Sequence, residues 1–202
     1  VEEILWFTSK FYKTWNHKLA RELVDRFGLD AKRKIRHLSR GMVAEVCLIL
    51  ALAPEPRLLI LDDPTSGMDP IVRREFLENV VDLVRDRRRT VFFSSHILAD
   101  IERVADWVGI LNGGCLLIQS EVDTLKRRTR KVVAKFDTEP PRDVALGEPV
   151  SVRTDGLTLT ATFSHYEEDI PEKLRAAGAS AVQVIDLSLE DIFVEHLGPE
   201  KV

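Results

Sequence analysis

Leu58-Leu59-Ile60-Leu61-Asp62-Asp63-Pro64-Thr65-Ser66-Gly67-Met68-Asp69-Pro70 is the stretch on which the fold turns. Four consecutive aliphatics bounded by turn residues predict a short strand buried on both faces, as in a parallel sheet. Two carboxylates then stand at its carboxyl end, and a turn leads into a helix that begins with Pro70, where a missing N–H costs nothing. The helix is predicted over residues 70–87 and a second apolar strand over 90–94. Alternating strand and helix implies an α/β core with a parallel sheet covered on both faces. In such sheets ligands gather beyond the carboxyl ends of the strands. Asp62 and Asp63 therefore lie where a hydrated divalent cation would be held or a water oriented. Neighbouring like charges at such a place suggest a cation beside them. Ser94-Ser95-His96 ends the second strand, and if the two strands are neighbours His96 faces the same crevice.

Working toward the amino terminus, Leu38-Ser39-Arg40-Gly41-Met42 stands directly before a helix predicted over 41–53, apolar nearly all round and stopped by Pro54 and Pro56. Ser39 admits two readings. Its hydroxyl caps the helix, or the same helix start offers free amides and a positive dipole end to a phosphate, with Gly41 letting the backbone come close. Asp69 is likewise accounted for locally, as the cap of the helix at Pro70. Before that, Leu5, Phe7, Phe11, Tyr12, Trp15, Leu19, Leu23, Val24 and Phe27 recur at spacings of three and four, a helical core face ended by Gly28.

Toward the carboxyl terminus, strands at 107–111 and 115–119 flank Asn112-Gly113-Gly114 and read as a hairpin on the same sheet, followed by a helix at 121–128. Composition shifts after Arg130. Strands at 131–136, 150–153, 157–163 and 181–187, with helices at 171–177 and 189–197, make up a small α+β module.

The formal net charge of -4 argues against a nucleic-acid binder working through a broad basic face, so the basic clusters at 32–34 and 85–89 read as solvated turns and helix ends. Cys47 and Cys115 lie in apolar runs with no metal-ligand spacing nearby, which predicts buried free thiols in a reducing cytosol. The most apolar run, 46–53, is far shorter than the ~20 residues that cross a bilayer, and Glu2 and Glu3 stand where a secretory signal would be basic. Any membrane role is expected through a partner.

Four motifs in fixed order within one stretch resemble those of the ATP-binding cassette (ABC) ATPases. Residues 38–42 resemble the signature motif, usually LSGGQ; 58–62 resemble Walker B; 66–69 resemble the D-loop; and His96 resembles the switch histidine. The aromatic-rich start and Leu187-Ser188-Leu189-Glu190-Asp191-Ile192-Phe193 are similar to the ATPase subunits of bacterial ABC-2 exporters, including the bacitracin-resistance-like group.

The resemblance implies a P-loop NTPase-like core in which two subunits stack head to tail and trap two ATP molecules. Asp62 would hold Mg²⁺ through water and Asp63 would be the base that polarises the attacking water. His96 would contact the γ-phosphate. Ser39, Arg40 and Gly41 would serve the nucleotide of the opposite subunit, and Asp69 would communicate across the dimer. The implied partners are a second ATPase subunit and an ABC-2-type permease, with the chain cytoplasmic and peripheral on the inner face of the cell membrane. The expected organisation is a partial ATPase domain over 1–130, with a helical signature part at 1–53 and the Walker B, D-loop and switch part at 54–130, then an α+β accessory domain over 131–202.

Three departures from the family pattern matter. Asp63 stands where glutamate is usual, Arg40 and Met42 replace a glycine and a glutamine, and no G-x-x-x-x-G-K-[ST] occurs in the 202 residues. The resemblance therefore implies a core whose first strands are missing and 202 residues inactive by themselves. The rival readings are a non-catalytic regulatory or dimerisation partner of an intact ATPase, and a fragment without independent activity.

Overall fold

The computed structural model describes residues 1–85, 89–141 and 146–197. The chain forms two compact units, Val1–Asp100 and Ile101–Val202.

The first unit opens with α1 (Glu2–Ser9) and α2 (His17–Arg26). The Asn16 side chain caps α2 by accepting from the Leu19 N–H at 2.9 Å, and Gly28, at φ +61°, ends it in the left-handed region that glycine adopts without strain. Leu19, Ala20, Leu23 and Val24 bury one face of α2. The expected helical run is interrupted between Ser9 and Asn16. Ser9 Oγ turns back on the Trp6 carbonyl at 2.7 Å, and Asn16 starts a new helix, so the periodicity of the first segment is not carried through. Phe7, Phe11 and Tyr12, expected in the core, are exposed in consequence.

Ser39 begins α3 (Arg40–Leu52), which buries Gly41, Val46, Leu48, Ile49 and Leu52. Next come β1 (Leu58–Leu61), α4 (Pro70–Arg85), β2 (Thr90–Phe93) and α5 (Leu98–Val104). β1 and β2 pair in parallel, from Leu58 opposite Thr90 to Leu61 opposite Phe93. Leu59 enters a core with Leu48, Ile49, Leu52, Phe76 and Val80. The other face carries Leu58, Ile60 and Phe92, exposed by 52%, 65% and 66%, so the expected two-sided cover is realised on one side only among the described residues.

In the second unit β3 (Trp107–Asn112) and β4 (Cys115–Glu121) form the expected hairpin, but as a two-stranded sheet of their own. Their ladder runs from Trp107 opposite Glu121 to Asn112 opposite Cys115, with an irregularity at Ile110/Leu111, and neither strand bonds to β1 or β2. After α6 (Val122–Arg128) come β5 (Arg130–Phe136), β6 (Ser151–Asp155), β7 (Thr158–Phe163), α7 (Ile170–Ala176), β8 (Ala179–Asp186) and α8 (Leu189–Leu197). The four strands form an antiparallel sheet in the order β6-β7-β5-β8. Val132, Ala134, Leu159, Ala161 and Phe163 pack beneath Ile170 and Leu174 of α7.

The compact units divide at Asp100, whereas composition shifts near Arg130, because the division follows contacts and the second unit gathers the hairpin and α6 with the later sheet. Both cysteines are exposed, not buried. Cys47 points away from the core between buried Val46 and Leu48, and Cys115 opens β4 directly after the Gly113-Gly114 turn. Within the basic clusters, Lys32, Arg33 and Lys34 are exposed as expected. Residues 86–88 of the second cluster lie outside the described residues.

Candidate active site at the ends of the parallel strands

Parallel pairing of β1 with β2 brings the two polar strand ends together. The ladder continues one step beyond the strands, with the Ser94 N–H donating to the Leu61 carbonyl at 2.9 Å. Ser94 Oγ then donates to Asp62 Oδ1 at 2.6 Å and accepts from the Asp63 N–H at 2.8 Å. One hydroxyl thus fixes the carboxylate of one aspartate and the backbone of the next. The sequence names Ser94 only as part of the Ser94-Ser95-His96 strand end and gives it no role of its own. Its signal was its place at a strand end, two residues before His96.

Asp63 is the least comfortable residue of the site. Its φ of +41° lies in the left-handed region, which a non-glycine residue enters at a cost of about 1–3 kcal/mol. Its Oδ2 lies 3.2 Å from His96 Nδ1, whereas Oδ1 is buried and has no hydrogen-bond partner among the described residues. A buried acceptor left unpaired costs about 1–3 kcal/mol more. Such a residue persists only where the surroundings hold it, and the 63–68 turn does so: Ser66 N–H donates to the Asp63 carbonyl at 3.1 Å, and Met68 N–H to that of buried Thr65 at 3.2 Å. His96 is exposed.

The remaining candidates lie at two helix starts. Ser39 accepts from the Met42 N–H at 3.2 Å, so it caps its own helix. Asp69 Oδ1 accepts from both Ile71 and Val72 N–H at 3.1 Å, capping α4. Among the described residues the Ser39 cap leaves the Arg40 and Gly41 amides of α3 available, whereas α4, opening on Pro70 with Ile71, Val72 and Arg73 all bonded to Asp69, has no first-turn amide to spare. Gly41 is buried, and a Cβ there would stand 2.7 Å from Val72 Cγ1. A Cβ on Gly67 would collide with Arg40 Nη1 and lie 3.4 Å from Arg40 Cδ. The structure thus brings Asp62 and Asp63 together through Ser94 and His96 to Asp63, and sets Arg40 and Gly41 against the turn and helix that follow Asp63.

Among the described residues no three His, Cys, Asp or Glu side chains cluster as a metal cage. Asp62, exposed and with one carboxylate oxygen taken by Ser94, suits Mg²⁺ nonetheless, since that ion keeps most of its waters and is commonly bound through one or two carboxylates and substrate phosphates. No described helix is long and apolar enough to cross a membrane.

Residues 21–99 match the family model described as "AAA domain, putative AbiEii toxin, Type IV TA system". Over 202 residues the chain is 29% identical to the ABC transporter ATP-binding protein YtrB of Bacillus subtilis, an alignment covering 99% of this chain and 68% of that protein. It is 34% identical over 187 residues to the bacitracin transport ATP-binding protein BcrA of Bacillus licheniformis, covering 88% of this chain and 61% of that one. The solved "Structure of ATP binding subunit of ABC transporter" superposes with a TM-score of 0.52 and 28% identity over 62% of this chain and 54% of that chain. The chain therefore spans roughly three fifths to two thirds of these two curated relatives.

Proposed function

We propose, from its similarity to ABC transporter ATP-binding proteins, that the chain is an ATP-binding cassette ATPase whose strand-end site carries the hydrolytic step of ATP turnover in a transporter subunit. The observation that carries this reading is the meeting of Asp62 and Asp63 about the Ser94 hydroxyl, with His96 against the Asp63 carboxylate. Phosphoryl transfer asks mainly for positioning and charge stabilisation, and these residues divide that work. Asp63, half-buried beside exposed His96, is the carboxylate that accepts the proton of the attacking water. Its left-handed backbone and the Ser94 contact hold the carboxylate in place, which compensates for a side chain one methylene shorter than the usual glutamate. His96 Nδ1 faces Asp63, so a ring that also donates to the γ-phosphate through Nε2 does so as imidazolium. Asp62 would hold Mg²⁺ through water, and the ion when bound neutralises charge on the phosphate oxygens.

Ser39, Arg40 and Gly41 at the start of α3 belong in this reading to the nucleotide held by a second ATPase subunit, with Asp69 signalling across that interface. The pair would power an ABC-2-type permease from the cytoplasmic face of the membrane, with residues 131–202 as an accessory domain. The similarity to a bacitracin transport protein and to YtrB supports a transporter subunit.

In a protein comprising this chain and the amino-terminal phosphate-binding region of the family, Asp63→Asn is expected to lower ATP turnover by about 100-fold or more while leaving ATP affinity within about twofold. Unchanged turnover would remove Asp63 from the role of base. ATP-driven association of the unsubstituted protein without turnover would place the chain as a non-catalytic partner instead.

A further inference from the structure

Asp100 is a buried carboxylate for which the strand-end chemistry has no use. It lies in the first turn of α5 with its side chain 9% exposed, and its Oδ2 is 3.2 Å from Nε of Arg73 in α4, whose side chain is 23% exposed. That oxygen accepts no aligned hydrogen bond among the described residues, so the pair is held by charge. A charge this deep is tolerated only with its partner present, and removing one of the two is strongly destabilising. The pair joins two helix starts, each of which follows one half of the site. On one side the 63–69 turn runs from Asp63 into the first turn of α4, where the Arg73 N–H donates to the Asp69 carbonyl at 3.0 Å. On the other, the Asp100 N–H donates to the Ile97 carbonyl at 3.1 Å and the Ile97 N–H to Ser95 Oγ at 3.0 Å, so bonds lead from Asp100 back across His96. His96 needs that support. Its ring is exposed, and among the described residues it meets Asp63 Oδ2 alone, while the Ser94 clasp stops two residues short of it.

We infer that Arg73 and Asp100 are positioning residues: their ion pair fixes the start of α5 on α4 and so sets the His96 ring against the Asp63 carboxylate. Neither touches the reacting atoms. What the arrangement serves rests on the proposed ATPase reading, in which a ring held at Asp63 through Nδ1 keeps Nε2 turned to the phosphate.

The test removes both charges at once, since Arg73→Met alone would strand the buried carboxylate. In the 202-residue chain without nucleotide, Asp63→Asn is expected to move the His96 ring-proton resonances, because the two side chains meet. In the Arg73→Met/Asp100→Leu background that response should fall below about a third of its size. Arg73→Lys, which keeps the charge but loses the planar fork, is the milder variant and should lose about half of the response. In the ATP-hydrolysing protein the double variant is expected to lower kcat about tenfold with KM within about twofold, and in a His96→Ala background its cost should shrink below about threefold. A full resonance response in both variants, or an equal loss of kcat with and without His96, overturns the positioning role. A rise in KM with kcat unchanged does so too. Failure of the ATPase reading would leave the resonance results standing, so the two are told apart.

Discussion

The two units treat their charged groups in opposite ways. In the second, Glu195 is partly buried against Lys131 at 2.8 Å and accepts from Ser151 Oγ at 2.6 Å. Burial alone would raise its carboxyl, but the bonds from Lys131 and Ser151 outweigh that and hold it below the usual range. Glu102 behaves alike: burial pushes it up, and Lys126 together with the Leu189 N–H pulls it down further. In the first unit Glu45 is pushed upward, first by burial and then by the nearby charge of Glu75. Asp63 keeps a buried oxygen unpaired, and Asp100 Oδ2 lies 3.2 Å from Arg73 Nε without hydrogen-bond alignment. The only buried unpaired side-chain atom described in the second unit is the uncharged Thr129 hydroxyl. Polar groups of the second unit are spent on holding it together, whereas several of the first are left for a ligand or another surface to complete.

Five substitutions test this contrast, from the largest effect to the smallest. Leu174→Ala should cost about 2–5 kcal/mol, since Leu174 is fully buried beneath the four-stranded sheet and its loss leaves a cavity. Denaturant unfolding that moves by less than 1 kcal/mol, on the order of a surface change, would mean this core is not what holds the unit.

Lys131→Met should cost about 1–3 kcal/mol by leaving the Glu195 carboxylate, 13% exposed, with Ser151 as its remaining donor. The pH dependence follows from the direction of the shifts. Because Glu195 and Glu102 titrate lower in the folded chain than in the unfolded one, the unfolded chain takes up protons first as pH falls. Their contribution is therefore complete above about pH 4.3, the unfolded value, and is lost as pH drops through the folded values. Glu195→Gln should flatten the acid limb of a stability-versus-pH curve. A limb of unchanged slope would show that this ion pair is not linked to folding.

Asp63→Gly should stabilise the chain by roughly 0.5–1 kcal/mol, because glycine adopts φ +41° without strain and the unpaired oxygen disappears. A fall in melting temperature would mean that the His96 contact outweighs both. The smallest effect is expected for Glu45→Gln. A carboxyl raised in the folded state weakens folding once ionised, so at pH 7 the neutral variant should melt slightly higher, and the gain should vanish below about pH 4.3. A gain that persists unchanged into acid would deny that Glu45 and Glu75 repel one another.

The alternation of strand and helix from Leu58 to Phe93, the caps at Ser39 and Asp69, the 107–121 hairpin and every strand of the later sheet were legible to within a residue or two. So was the kinship with the cassette ATPases, because its motifs are short and contiguous. The interruption after Ser9 was not, since Asn16 opens a new helix by accepting from the Leu19 N–H and resets the helical period. Nor were the exposed cysteines, because an apolar neighbourhood in sequence does not say which way one side chain of a helix or a hairpin points.

What the sequence by itself determined is what a few neighbouring residues can enforce: periodicity, capping, turn chemistry and the order of the motifs. Side-chain to backbone bonds and apolar patterns act over three or four positions, and they are written in the local string. The tertiary structure alone decided that Ser94 would clasp Asp62 and Asp63 across 31 and 32 positions of chain. It also decided that Val72 Cγ1 would stand 2.7 Å from where a Cβ on Gly41 would go. Contacts of that separation exist only once parallel pairing of β1 with β2 and the packing of α3 against α4 have closed the chain on itself, and no local preference encodes that closure.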